Sequence, residues 1–232
     1  MSSSLTAAPS DVQGSDARFN TIPSLDGAPP LVTVRHLTKT YRGRPALRDL
    51  SLSLPAGRIV GLMGANGCGK TTLLKILAGV LADYEGQVRI AGHAPGLQSK
   101  ALVSFLPDAD FLATSLTPPR AIAQFSRLFA DFDAAKARRL VDFFGLPADR
   151  SIKEMSKGMG EKLRIALVMS RRARVYLLDE PISGVDPAAR EIVLDGVLRD
   201  FESDSLMIIS THLIADVEPI VDSVVFLKDG RL

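Results

Sequence analysis

The stretch that most constrains this chain is GRIVGLMGANGCGKTTLLKILAGV, from Gly57 to Val80. Its first part is a short apolar run suited to a buried strand from about Arg58 to Met63. Its last part repeats Leu and Ile at helical spacing and closes near Gly79. Between them, Gly64, Ala65, Asn66, Gly67, Cys68, Gly69, Lys70 and Thr71 carry the P-loop spacing, with Thr72 running on into the helix. Glycines let backbone N–H groups converge on an anion without Cβ obstruction, and a helix N-terminus adds its partial positive charge. Lys70 can then reach terminal phosphates as a point charge, and the Thr71 hydroxyl can ligate Mg²⁺. The bland alternative is a tight glycine turn between strand and helix. Cys68 reads as a small loop residue rather than a nucleophile, because no base accompanies it.

A phosphate cradle alone hydrolyses nothing. VYLLDEP, from Val175 to Pro181, is a short apolar strand ending in two carboxylates. Asp179 at its carboxyl end would hold Mg²⁺ through water, and adjacent Glu180 would polarise an attacking water. An acidic pair after a strand is otherwise an ordinary loop or helix cap. Loop and pair reinforce each other.

The surrounding pattern alternates strands with helices. Antiparallel strands are expected between Leu31 and Leu54, interrupted by RGRP, with further strands at GQVRIAG and LVSFLP. Between Pro118 and Gly145 the period becomes helical, broken near Asp131 and Asp133. A loop feeding a helix follows, then the Val175 strand, a helix from Pro187 to Asp200, a strand LMIIS, a helix from Leu213 to Val221 and a strand SVVFL. The expected fold is α/β: a P-loop NTPase core with a mainly parallel sheet, an antiparallel β subdomain, and a small α-helical subdomain at about residues 118–158. Residues 1–30, rich in Ser, Ala, Asp, Gly and Pro, read as a disordered leader before a domain at residues 31–232.

Composition narrows the function classes. With 232 residues, 46% hydrophobic, the chain can bury one full domain with a small subdomain. Lys plus Arg total 28 against 26 Asp plus Glu, so no basic field draws nucleic acid. The clusters at Lys136–Arg139 and Arg171–Arg174 are expected at helix ends or facing solvent. One cysteine makes no internal disulfide, which fits a reducing compartment. No run approaches the roughly 20 apolar residues that span a bilayer, and no secretory signal opens the chain, so a membrane role would be borrowed from a partner.

Tyr41, the P-loop, SKGMG, LLDEP, SGVDP and STH occur in the order and approximate spacing of an ABC-type ATPase, which the chain resembles from about Leu31 to Leu232. The resemblance implies ATP and Mg²⁺ as cofactors. It implies Tyr41 as the aromatic that stacks on adenine, Asp186 as the aspartate linking two subunits' sites, and His212 as the γ-phosphate contact beside catalytic Glu180. Each also has an ordinary use: strand aromatic, helix N-cap before Pro187, strand-end loop residue.

Two positions depart from the family pattern. Its signature reads Leu-Ser-Gly-Gly-Gln, where this chain has Met155, Ser156, Lys157, Gly158 and Met159. The serine and second glycine remain, the groups that can bind a γ-phosphate in trans at a helix N-terminus. The SKGM form is similar to that of ATPases serving ABC-2 type exporters. At FLPDADF, Asp108 stands where the family places a glutamine that touches Mg²⁺ and the lytic water. A carboxylate can also ligate Mg²⁺, but it adds negative charge near the γ-phosphate. Asp108 as an exposed turn residue after Pro107, with Asp110 in its place, is the other reading.

The resemblance therefore implies an ATP-hydrolysing subunit that powers a membrane transporter through ATP-driven dimer closure. Its partners would be an integral permease, of ABC-2 type, and a second ATPase copy as homodimer or heterodimer. It would lie in the cytoplasm, peripheral on the inner face of the membrane, and bind no nucleic acid. Two alternatives are a soluble ABC-type ATPase acting on DNA or ribosomes, whose relatives usually carry a long coiled-coil insertion or two ATPase domains, and a degenerate ATP-binding regulatory module.

Overall fold

The computed structural model describes residues 20–22, 29–199, 201–202 and 204–232, and most of the expected leader lies outside them. Three strands open the chain: β1 (Asn20–Thr21), β2 (Val32–Tyr41) and β3 (Arg44–Leu54). Arg42 and Gly43, with φ of 48° and 79°, make the two-residue turn between β2 and β3, a conformation whose twist matches a hairpin. Strand β4 (Arg58–Met63) passes through the glycine loop into α1 (Lys70–Leu77), and β5 (Glu85–Ile90) returns to pair with β2. Then follow α2 (Leu97–Leu102), β6 (Val103–Leu106), α3 (Pro118–Leu128), α4 (Ala134–Phe143) and α5 (Lys157–Met169). The chain closes with β7 (Val175–Asp179), α6 (Pro187–Leu198), β8 (Leu206–Thr211), α7 (Ile214–Val217) and β9 (Ser223–Phe226).

Two sheets result. The first has the order β1-β3-β2-β5, with β3, β2 and β5 antiparallel; the second is parallel, in the order β6-β7-β8-β4-β9. Successive strand residues point to opposite faces, and the core divides along that alternation. Val60, Leu62, Val175, Leu177, Leu206 and Ile208 pack with α1 and the antiparallel sheet. Their neighbours Ile59, Met63, Tyr176, Leu178, Met207 and Ile209 pack with α5 and the helical insertion. Covered on both faces, β7 and β8 are buried at every residue, which is why they read as unbroken apolar runs.

The α/β architecture expected from the sequence is the one observed. Differences are local. Asn20–Thr21 pairs parallel with Leu52 and Ser53, so ordered structure starts before Leu31. That pairing satisfies backbone groups on the outer edge of β3, and a two-residue strand has no periodicity to announce it. Helix α2 was not anticipated: six residues long, with Leu97 91% exposed, it presents no apolar stripe. The helix expected from Leu213 to Val221 is a single α-turn continued by a 3₁₀ turn at Glu218–Ile220, where Pro219 removes a donor.

The basic clusters divide. Arg138, Arg139, Arg172 and Arg174 face solvent as expected, although Lys136–Arg139 lies inside α4 rather than at its end. Arg171 follows α5 but is buried: it grips the Asp131 carboxylate through Nε and Nη2, donates to Val103 O and Ala101 O, and stacks 4.3 Å from the Phe129 ring centroid. It fastens the α3–α4 corner to the start of β6. Asp133 caps α4 by accepting from Lys136 N at 2.8 Å.

Candidate functional site

Strand β4 delivers Gly64 into a conformation only glycine adopts easily, with φ at 152°. A Cβ there would stand 2.2 Å from Leu227 O and 2.6 Å from Cys68 Sγ. The loop rests on the C-terminal segment: Leu227 N donates to Met63 O, and Gly230 N to Cys68 O. Buried Cys68 fills the space beneath it. At its far end Gly69 precedes α1 and offers no side-chain cap, so the first-turn N–H groups of α1 have no side-chain acceptor. An anion is the natural complement.

Lys70, buried at 6% exposure, turns its ammonium back into the loop, donating to Gly64 O at 2.7 Å and Ala65 O at 3.4 Å. It also lies 3.6 Å from Glu180 Oε1. The other Glu180 oxygen is 3.0 Å from His212 Nδ1. Glu180 sits just past β7 in the left-handed region, φ 51°, its N–H donating to Ser210 O at 3.0 Å. Strand β8, next to β7, thus places both Ser210 and, one residue past its end, His212.

Asp179 is the most enclosed of the acids, at 1% exposure. Its Oδ1 accepts from Ser210 Oγ at 2.5 Å, and the Thr71 hydroxyl is near enough to favour the charged form of the same carboxylate. Its Oδ2 has no partner. Burial raises its pKa; the Ser210 and Thr71 hydroxyls pull it back down, while the negative charges of Asp108 and Glu180 push it further up. An orphaned buried carboxylate oxygen, near a threonine hydroxyl and crowded by two more acids, fits a hard divalent cation such as Mg²⁺.

Lys70, Thr71, Glu180 and His212 line a cavity of about 390 Å³ together with Tyr41, Asn66, Gly67, Gly69, Thr72 and Asp108, while Asp179 is not part of its wall. Tyr41, at the end of β2, is 44% exposed at its rim, with the Lys39 ammonium 4.9 Å from the ring centroid. Asp108 faces this cavity. Asp110 does not: it pairs with Arg164 at 2.8 Å beside a second cavity of about 530 Å³. Ser156, Lys157 and Met155 also belong to that second cavity. Ser156 caps α5 by accepting from Met159 N at 3.2 Å, and Gly158 follows in the first turn. Asp186 caps α6 by accepting from Ala188 N at 3.0 Å, and is exposed.

Within one chain, therefore, the glycine loop, Asp179, Glu180 and His212 converge, whereas the Ser156 group and Asp186 face elsewhere. Sequence reasoning missed Ser210, although it stands in the STH stretch that supplied His212. It also missed Leu227 and Gly230, which nothing marks because their contribution is backbone. Buried Arg164 and Glu161 were missed too; alternation of charge with Leu163 and Ile165 along α5 was the available signal.

Comparison with known proteins gives the family and the fold. The family model described as "ABC transporter" matches residues 47–183. The ABC transporter ATP-binding protein YtrB of Bacillus subtilis is 28% identical over 205 residues, covering 87% of this chain and 70% of that protein. The Nod factor export ATP-binding protein I of Ralstonia nicotianae is 30% identical over 214 residues, covering 88% of this chain and 66% of that one. Among solved structures, the ATP binding subunit of an ABC transporter superposes with a TM-score of 0.76 at 26% identity, covering 87% of this chain and 88% of that one.

Proposed function

Because this chain belongs to the ABC transporter family, as an ATP-binding, ATP-hydrolysing subunit, we propose that its two cavities are the halves of a composite site, completed when a second copy or a related ATPase docks. In one half the P-loop N–H groups and the α1 N-terminus receive the phosphates. Lys70 exchanges its loop carbonyls for the terminal phosphate. Tyr41 stacks on the adenine at the rim. Thr71 and Asp179, with Asp108 alongside, would hold Mg²⁺, which would supply positive charge to neutralise the phosphates. From the other copy, the α5 N-terminus supplies Ser156 and Gly158, flanked by Lys157 and Met159, and Asp186 joins the two sites.

In the hydrolytic step a water oxygen bonds to the γ-phosphorus as the bond to the β–γ bridging oxygen breaks, leaving ADP. Glu180 accepts the water's proton. His212 holds the Glu180 carboxylate by its second oxygen and reaches the γ-phosphate from the same side. ATP binding energy drives closure of the two copies, and loss of the γ-phosphate contacts lets them separate.

The observation that carries this reading is the position of Glu180, bridged between Lys70 and His212 at 3.6 and 3.0 Å, beside the orphaned oxygen of Asp179. Among the described residues no helix is long and apolar enough to cross a membrane. The partner we assign is an integral permease of the ABC-2 export type, on the SKGM form and the likeness to a Nod factor export subunit. Its docking would hold this chain on the inner membrane face. Helices α3 and α4 span 11 and 10 residues, too short for the coiled-coil arm that a DNA-acting relative would use.

Calorimetry and a phosphate-release assay test the reading together. The parent should bind ATP and hydrolyse it only with Mg²⁺. Lys70→Ala should weaken binding by about 10- to 100-fold, the worth of a charge-assisted hydrogen bond. Unchanged affinity in Lys70→Ala would refute the cradle, and an integral membrane protein should co-purify with the parent from membranes.

A further inference from the structure

The cavity of about 530 Å³ beside the nucleotide site contains a feature with no role so far, the guanidinium of Arg164. Arg164 is 7% exposed, two turns along α5 from Ser156. An arginine among Leu163, Ile165 and Leu167 is costly unless its charge is met. Glu161, one turn earlier and 5% exposed, bonds its Nη2. Its Nη1 lies 2.8 Å from Asp110 Oδ1, an ion pair without the alignment of a hydrogen bond.

Glu161 continues the chain of charge. It lies in the field of Lys157, and a Cβ on Gly184 would stand 2.8 Å from Lys157 Cε and 3.4 Å from Glu161 Oε2. Three segments therefore meet at one buried ion cluster. The loop after β6 presents Asp108 to the nucleotide cavity, the first turn of α5 presents Ser156, and the loop after Glu180 leads to Asp186. Glu161 is the buried partner of Arg164 and Asp110 its exposed one. Asp110, whose side chain is 88% exposed, adds little to stability, so what its contact supplies is position.

We propose that Arg164 is a positioning residue that transmits occupancy of the nucleotide cavity from the Asp108 loop to the Ser156 turn. Asp108 shifts toward the cation that accompanies the phosphates; Asp110, two residues on, moves with it; and Arg164 carries that displacement into α5, which re-aims Ser156 toward the second copy. The inference rests on the reading that ATP occupies the cavity between Lys70 and Asp108.

Amide hydrogen exchange on the full chain tests it, with the protein kept monomeric by dilution and checked by sedimentation. In the parent, Mg²⁺ with ATP should slow exchange of residues 155–162 at least about fivefold, the lower end of ordinary site-to-site coupling. Asp110→Asn leaves the Arg164–Glu161 pair intact, so exchange without nucleotide and ATP affinity by calorimetry should match the parent, while the ATP-induced slowing falls below about twofold. The double variant Arg164→Met with Glu161→Gln, which removes both buried charges at similar volume, should lose it likewise. Retention of the slowing in Asp110→Asn, or its absence from an ATP-bound parent, overturns the proposal. Failure of the parent to bind ATP at all overturns the underlying reading of the site instead.

Discussion

Lys70 Nζ stands 3.6 Å from Glu180 Oε1 while it donates to Gly64 O at 2.7 Å. The cation that would meet a terminal phosphate is thus already engaged by its own loop and by the acid that would activate water. An arriving phosphate competes with both.

That competition makes Glu180→Gln a double readout. Removing the carboxylate charge frees Lys70 and lessens repulsion, so ATP should bind about fivefold more tightly, equivalent to about 1 kcal/mol. Without the proton acceptor, turnover should fall by about 10²- to 10⁴-fold. Calorimetry and phosphate release on the same preparation check the two effects, and turnover equal to the parent's would remove Glu180 from its role.

Asp108 tests the charge balance from the other side. Its carboxylate and that of Glu180 both push the Asp179 pKa up, so three acids already repel one another before ATP adds its own charge. Asp108→Gln should tighten binding of metal-free ATP by about 1–2 kcal/mol, roughly tenfold, at the screening typical of such sites. The gain should be smaller with Mg²⁺, whose charge compensates the acid. Titrations in chelator and in Mg²⁺ separate the two cases, and an equal response in both would place Asp108 away from the cation.

Two glycines of the loop should behave differently despite their shared chemistry. A Cβ at Gly64 meets Leu227 O at 2.2 Å, whereas at Gly67, φ 80°, it meets nothing within 4 Å. Gly67→Ala should cost only the backbone strain of that conformation, about 1 kcal/mol. Gly64→Ala must displace the C-terminal support of the loop, and should both destabilise the protein further and abolish ATP binding. Thermal unfolding with and without nucleotide distinguishes them.

How much was legible beforehand follows from where each interaction lies in the chain. The P-loop, Asp179 and Glu180 could be read because a phosphate site needs fixed residue types at short, local spacing. Strands β7 and β8 were legible because burial on both faces writes an unbroken apolar run. Ser210 was not, since its bond to Asp179 spans 31 residues and a serine in a strand carries no such mark. Strand β1 is two residues long, too short to show a period. Arg171 was read as surface charge because its partners, Asp131, Val103 and Ala101, lie 40 to 70 residues away. Charge composition predicts exposure only where no such partner exists.

Arg171 should accordingly act as a structural clamp. Arg171→Met keeps much of the stem against Phe129 but strands Asp131 and the carbonyls of Val103 and Ala101. Removing one partner of a buried ion pair costs about 3–5 kcal/mol. Denaturant unfolding should show a loss of that order. Asp131→Asn, which keeps hydrogen-bonding capacity on a partner 27% exposed, should lose less.

The α4 cap provides the pH-dependent case. The Lys136 N–H, first, and the Arg172 side chain and Ala135 N–H, to a lesser degree, hold the Asp133 pKa below its ordinary 3.8, against an opposing effect of burial second only to that of Lys136. A carboxyl with a depressed folded-state pKa binds fewer protons folded than unfolded. Its stabilisation is therefore complete above the unfolded value and declines as pH falls through the folded one. At neutral pH, Asp133→Ala should lower the thermal midpoint by about 2–4 °C, corresponding to the roughly 1 kcal/mol of an N-cap in a domain of this size. That difference should narrow as acid protonates Asp133 in the parent. Asp133→Asn keeps the capping oxygen without the charge, so its deficit at neutral pH should be smaller and should vanish in acid. A deficit for Asp133→Ala that stays constant from neutral pH down to below the lowered pKa would show that the carboxylate's charge contributes nothing to the cap.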